Sequence, residues 1–128
     1  MKLDNLVKKT EKLKLLYVED DDELRASTIE IFEDFFEEIL IAGNGIDGLD
    51  IFRNNKIDIV ITDLNMPKMD GLEMIQNIRE LDKDVDIFVF SAYNESGIVE
   101  QAKSYNIKGY FYKPMDFTYF IKELDKAI

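Results

Sequence analysis

Four places in the sequence carry side chains that could do chemistry. Residues 19–22 read EDDD, directly after the apolar run LKLLYV. Residues 59–71 read IVITDLNMPKMDG, a β-branched run that stops abruptly on Asp63. Ser91 follows DIFVF, and Lys113-Pro114 follows GYFY. Taken together these are the parts of a phosphoryl-transfer site. Mg²⁺ takes oxygen ligands in near-octahedral geometry, typically one or two carboxylates with waters and a phosphate oxygen. Glu19, Asp20 and Asp63 could supply the carboxylates, with a backbone carbonyl from the loop after Asp63. A carboxylate can also act as a nucleophile and form an aspartyl phosphate. The negative charge spreading over that group is then met by the metal, the Lys113 ammonium and the Ser91 hydroxyl.

Those side chains are useful only if the fold brings them together. Five short apolar runs, at residues 13–18, 38–42, 57–62, 86–91 and 109–112, read as strands. Helix-period patterns lie between them. Leu24, Thr28, Ile31, Phe32, Phe35 and Phe36 make one apolar face, and Leu49 and Phe52 anchor a helix over 46–54. Leu72, Ile75, Ile78 and Leu81 form a third face, Ile98, Val99, Ala102 and Tyr105 a fourth, and Phe117, Phe120, Ile121 and Leu124 a fifth. Strands apolar on both faces, alternating with helices, predict an α/β fold: a five-stranded doubly wound parallel sheet with helices on both faces. Ligands of such sheets bind beyond the carboxyl ends of the strands. The first strand ends on residues 19–22, the third on Asp63, the fourth on Ser91 and the fifth on Lys113, so one edge collects all of them. Residues 1–12 stand outside the pattern, as a short helix carrying Leu3, Leu6 and Val7 or as a frayed tail. The domain proper is 13–128.

Each piece has a plainer explanation when taken alone. Acids at 19–22 suit a helix N-cap and first turn, Asp63 could cap a turn, Ser91 could begin a loop, and a single lysine is usually solvated. Four such coincidences at one sheet edge are harder to accept than one site.

Composition narrows the chemistry. The 128 residues contain no cysteine and no histidine, which excludes disulfides, thiolate catalysis, zinc–sulfur sites and a phosphohistidine on this chain. The length suits one domain. The net charge of −11 argues against direct nucleic-acid binding, which relies on Lys and Arg, and favours attraction of a cation. No apolar run reaches the roughly 20 residues of a membrane helix, and no signal peptide is visible, so a cytoplasmic location without membrane attachment is expected.

Four motifs then carry a family resemblance. LLYVEDD, ITDLNMPKMDG, FSA and GYFYKP resemble the corresponding segments of the receiver domain of bacterial two-component response regulators, the phosphoacceptor module. The likeness spans about 13–128 and implies the flavodoxin-like strand order 2-1-3-4-5. It implies that Asp63 is the phosphoacceptor and that Glu19, Asp20 and Asp63, with the Asn65 backbone carbonyl, hold Mg²⁺. Ser91 and Lys113 would engage the phosphoryl group, and Ser91 and Tyr110 would be the switch residues. It further implies a cis bond before Pro114, a sensor histidine kinase or phosphotransfer protein as donor, and an unidentified downstream effector. The readout surface would be the fourth helix, fifth strand and fifth helix of the pattern, with Tyr105, Lys108, Tyr110 and Tyr119. The protein would then be a phosphoacceptor that catalyses its own phosphotransfer and autodephosphorylation rather than a conventional enzyme. Dimerisation on phosphorylation is compatible with it. Glu19 stands where some members have Asp. Two rivals fit less well. A mononucleotide-binding flavodoxin-like module needs a Gly/Ser/Thr-rich loop where residues 19–22 are acidic, and a haloacid-dehalogenase-type phosphatase needs an aspartate where Asn65 stands. A receiver kept only as an interaction scaffold would not need the intact set of acids, hydroxyl and lysine.

Overall fold

The protein was analysed as a computed structural model that describes residues 3–128. Its five strands are β1 (Lys14–Val18), β2 (Glu38–Ala42), β3 (Ile59–Thr62), β4 (Asp86–Ser91) and β5 (Gly109–Tyr112). They form one sheet in the order β2-β1-β3-β4-β5, and every neighbouring pair is parallel. The connecting helices are α2 (Asp22–Phe32), α3 (Gly45–Asn54), α4 (Gly71–Leu81) and α5 (Ser96–Lys103), followed by α6 (Phe117–Ala127). An eight-residue helix, α1 (Leu3–Thr10), precedes the sheet. The doubly wound α/β fold is therefore as the sequence pattern predicts.

Local chemistry sets the element ends. Asn44, Asp70 and Asp116 each accept a hydrogen bond from the backbone N–H three residues on, at 2.9, 2.9 and 3.0 Å, so α3, α4 and α6 all begin on side-chain caps. Two strands start later than the apolar runs suggest. The Asp58 carboxylate accepts the Lys14 N–H at 2.9 Å while the Asp58 N–H donates to the Lys14 carbonyl at 3.0 Å. A side chain thus takes the next ladder position, and Leu13 and Ile57 fall outside the sheet. Helix α2 stops at Phe32, but Phe35 and Phe36 donate back to the Phe32 carbonyl and remain buried. Leu81, placed on an apolar face by its spacing, is instead 55% exposed at the last position of α4, and Met74 is the buried residue of that helix that the spacing omitted.

Period-two alternation sorts the strand side chains into two cores. Leu16, Val18, Val60, Ile87 and Val89 pack with Leu49, Phe52, Met74, Ile75 and Ile78 on the α3/α4 side. Leu15, Tyr17, Ile59, Ile61, Phe88 and Phe90 face the other way, with Phe32, Phe120 and Leu124. Phe120 is the hub of this second layer. Its ring meets Phe90, Phe111 and Phe88 edge-on, at centroid distances of 4.8, 5.1 and 5.7 Å, the arrangement the aromatic quadrupole favours.

Helix α1 belongs to the same layer. Leu6 is fully buried in it, the buried Thr10 hydroxyl donates to the Phe35 carbonyl, and Lys9 pairs with Asp125 at 3.0 Å. Burial of a leucine in a packed core makes its truncation expensive, whereas an exposed leucine contributes little. Leu6→Ala should lower the unfolding free energy by about 2–4 kcal/mol. Leu3→Ala, at a position 51% exposed, should change it by less than about 0.5 kcal/mol. Urea titration of both variants checks this, and equal midpoints would mean that α1 does not contribute to the core.

Candidate functional site

The register of the parallel strands brings the chemical residues to one edge. Val18 lies opposite Thr62, Thr62 opposite Val89, and Ser91 opposite Tyr112. The next residues along β1, β3 and β5 are Glu19, Asp63 and Lys113, so they emerge side by side. The ladder is carried one step further by Glu19 N–H to Ala42 carbonyl at 3.0 Å and Asp63 N–H to Val18 carbonyl at 3.1 Å. Both acids therefore leave a fixed backbone, not a loop free to move them to solvent.

Glu19 and Asp63 are buried, at 1% and 6% exposure. A single cation holds them together: the Lys113 ammonium donates to Glu19 Oε1 at 2.7 Å and to Asp63 Oδ2 at 3.0 Å. Every oxygen of the two carboxylates has a donor. Glu19 Oε2 accepts the Asp21 N–H at 3.2 Å, and Asp63 Oδ1 accepts the Leu64 N–H at 2.7 Å and the Asn65 N–H at 3.4 Å. Burial, reinforced by the charge of Asp63, raises the pKa of Glu19 against the opposing pull of Lys113. Burial alone would depress Lys113, but its two carboxylate partners outweigh that and hold its pKa above the usual lysine value.

Glu19, Asp20 and Asp63 each offer a carboxylate oxygen, and the three lie within 4.8 Å of one another. Three hard oxygen donors without nitrogen or sulfur suit Mg²⁺, Ca²⁺ or Mn²⁺, so the residues present fit a divalent cation. Within the EDDD run the acids divide. Glu19 and Asp20 face the cluster, Asp21 caps α2 by accepting the Leu24 N–H at 3.0 Å, and Asp22 opens the helix, where it pairs with Arg25.

A small cleft of about 90 Å³ beside the cluster is lined by Asp63, Asn65, Ser91, Ala92 and Tyr93, roughly the room of three liquid waters. Ser91 is fully buried, and its hydroxyl accepts the Tyr93 N–H at 3.1 Å. The Tyr110 hydroxyl in turn donates to the Tyr93 carbonyl at 2.8 Å; burial holds that hydroxyl's pKa above its ordinary value. Asn65 is exposed. The Lys113–Pro114 peptide bond is cis. Gly71 closes the loop after Asp63: its N–H donates to the Leu64 carbonyl at 2.9 Å, and a Cβ there would collide with the Asp63 carbonyl.

A family model described as "Response regulator receiver domain" matches residues 15–125. The chain belongs to the response regulator receiver family. Among curated relatives it is 34% identical over 116 residues to the chemotaxis protein CheY of Listeria monocytogenes, covering 90% of this chain and 98% of that one. It is 29% identical over 103 residues to the sporulation initiation phosphotransferase F of Bacillus subtilis, covering 80% and 83%. The solved CheX–CheY–BeF₃–Mg²⁺ complex of Borrelia burgdorferi superposes with a TM-score of 0.85 at 27% identity, covering 94% and 92%. Receiver domains are signalling phosphoacceptors of two-component systems, not conventional enzymes, and they bind Mg²⁺ at an acidic pocket. Among the described residues of this receiver, no helix is long and apolar enough to cross a membrane.

Two contacts escape the sequence motifs. The Arg25 guanidinium donates to the Glu19 carbonyl at 2.7 Å, and the Thr62 hydroxyl donates to the Asp63 carbonyl at 2.7 Å. Only the one-turn spacing between Arg25 and the acidic run could have hinted at the first. Removing one member of a buried ion pair leaves a charge uncompensated, so Lys113→Met should destabilise the metal-free protein by about 3 kcal/mol. Lys126→Met, which breaks an ion pair whose lysine is 78% exposed, should stay within about 0.5 kcal/mol of wild type. Denaturant unfolding in EDTA distinguishes the two.

Proposed function

We propose that this receiver accepts a phosphoryl group on Asp63 from the phosphohistidine of a sensor histidine kinase or phosphotransfer protein, and that the modified site alters its α5–β5–α6 surface. The observation that carries the reading is the Lys113 ammonium spanning Glu19 and Asp63 beside Asp20. An Asp63 carboxylate oxygen forms the new O–P bond in line as the donor's P–N bond breaks. The histidine leaves with that electron pair and is reprotonated from solvent. Mg²⁺ held by Glu19, Asp20, Asp63 and the Asn65 carbonyl would supply charge neutralisation for the phosphoryl oxygens. Lys113 then exchanges its Asp63 contact for a phosphate oxygen, and the Ser91 hydroxyl, which stands in the same cleft, donates to another. A Ser91 that turns toward the phosphate gives up the Tyr93 N–H, which links the chemistry to Tyr93 and through it to Tyr110.

Strand β5 and helix α6 present Tyr112 and Tyr119 at 52% and 55% exposure. Such amphipathic aromatic side chains suit an effector interface. The family pattern of the sequence supports this surface as the output.

Intact-mass spectrometry after incubation with acetyl phosphate tests the chemistry. One added phosphoryl group is expected, requiring Mg²⁺ and absent in Asp63→Asn. No adduct, together with no response to beryllofluoride, would overturn the reading. The crowded carboxylates also predict linkage to the metal. Millimolar Mg²⁺ should raise the melting temperature, and Asp20→Asn should weaken that rise. An unchanged wild-type melting curve would remove Mg²⁺ from the account.

A further inference from the structure

Arg25 poses a puzzle of sign. It is a cation beside a group of acids read here as a cation site, so on charge alone it should oppose metal binding. Its geometry says otherwise. From the first turn of α2, Nη1 donates to the Glu19 carbonyl at 2.7 Å and Nη2 to Asp22 Oδ1 at 2.7 Å. The side chain is 23% exposed, whereas Asp22 is 87% exposed. The exposed i,i+3 ion pair is by itself worth little. The bond to the Glu19 carbonyl is the consequential one, because that carbonyl belongs to the peptide joining Glu19 to Asp20.

Glu19 is thereby held at four points. Its N–H bonds the Ala42 carbonyl at 3.0 Å, its carbonyl bonds Arg25, Oε1 bonds Lys113 at 2.7 Å, and Oε2 bonds the Asp21 N–H at 3.2 Å. Asp20, exposed and next in the chain, takes its position from this fixed backbone. Gly43, in the turn after β2, lies against the guanidinium: a Cβ there would stand 3.7 Å from Nη1, an ordinary van der Waals contact. The planar fork suits two acceptors at set positions; an ammonium has no such fixed geometry.

We propose that Arg25 is a positioning residue: it fixes the Glu19–Asp20 peptide so that both carboxylates converge with Asp63 on one divalent cation. The inference rests on the Mg²⁺ reading of the site given above. Groups that orient metal ligands from outside the coordination sphere typically change metal affinity by 10–100-fold when removed. Positioning and electrostatics then make opposite predictions. Removing the positive charge tightens Mg²⁺ if charge repulsion is what Arg25 supplies, and weakens it if orientation is.

The test is isothermal titration of MgCl₂ into the purified chain for wild type, Arg25→Met and Arg25→Lys, with melting temperatures measured in parallel in EDTA. Arg25→Met removes both charge and fork; Arg25→Lys keeps the charge and loses the fork. Weakening of Mg²⁺ by about tenfold or more in both variants is expected. Tighter binding by Arg25→Met with wild-type binding by Arg25→Lys would overturn the proposal in favour of simple repulsion. Lower melting temperatures with unchanged Mg²⁺ affinity would also overturn it, leaving Arg25 a structural residue only. Should Arg25→Met not fold, Arg25→Lys alone decides between weakened and unchanged affinity. Failure of wild type to bind Mg²⁺ is a different result, which sinks the metal reading itself and the Arg25 role with it.

Discussion

Two carboxylates buried at the end of a parallel sheet, sharing one ammonium, are the constraint around which this receiver is organised. Charges removed from water are tolerated only when paired and hydrogen-bonded. Glu19 and Asp63 meet that condition through Lys113 and through backbone N–H groups of their own loops. The arrangement leaves two acids to one base at the centre, with Asp20 adding a third carboxylate at the rim. A site of that balance is satisfied and still attractive to a further positive charge. The excess of acid over base that the resting protein tolerates is the same feature that suits it to a cation and a phosphoryl group.

Such an arrangement needs a rigid support, and the packing provides it. The strand side chains divide between two differently filled layers, so a one-residue slip would send Phe88 and Phe90 into the mainly aliphatic layer and Ile87 and Val89 into the aromatic one. One face is closed by aliphatic packing against α3 and α4, the other by the Phe120-centred aromatic layer. Helix α1 extends that second layer through Leu6 and Thr10. Register is thereby fixed over the whole sheet, and with it the positions of Glu19, Asp63 and Lys113 just past the strand ends.

The segment linking β4 to β5 is held differently at its two ends. Near the site, single hydrogen bonds run from Tyr110 to the Tyr93 carbonyl and from the Tyr93 N–H to Ser91. At the far end the Arg79 guanidinium, reaching from α4, donates to the carbonyls of Tyr105, Val85 and Asn106 at 2.7, 2.7 and 3.0 Å. Charge-assisted bonds in a fork are stronger and more directional than isolated neutral ones. The turn after α5 is therefore anchored, while the loop before it rests on contacts that a new ligand of Ser91 could exchange.

The five-stranded parallel sheet with helices on both faces and the collection of acids, hydroxyl and lysine at one edge were legible in the residues. They depend on apolar runs, helical spacing and residue types at strand ends, which are local properties of the chain. The strand order came only with the family resemblance, and the division of the side chains into two cores came only with the structure. Element ends were less legible: Asp58 shortened two strands by bonding Lys14 across the sheet, and Leu81 became exposed where its helix stopped. Which of four consecutive acids serves the helix and which the cluster was also undecided until Asp21 was seen capping α2. The docking of α1, the sharing of Lys113 between two carboxylates and the grip of Arg25 and Arg79 on distant carbonyls belong to tertiary structure alone. Each joins groups far apart in the chain or aims a long flexible side chain at a backbone atom, and a backbone carbonyl leaves no mark in the sequence to show what will bind it.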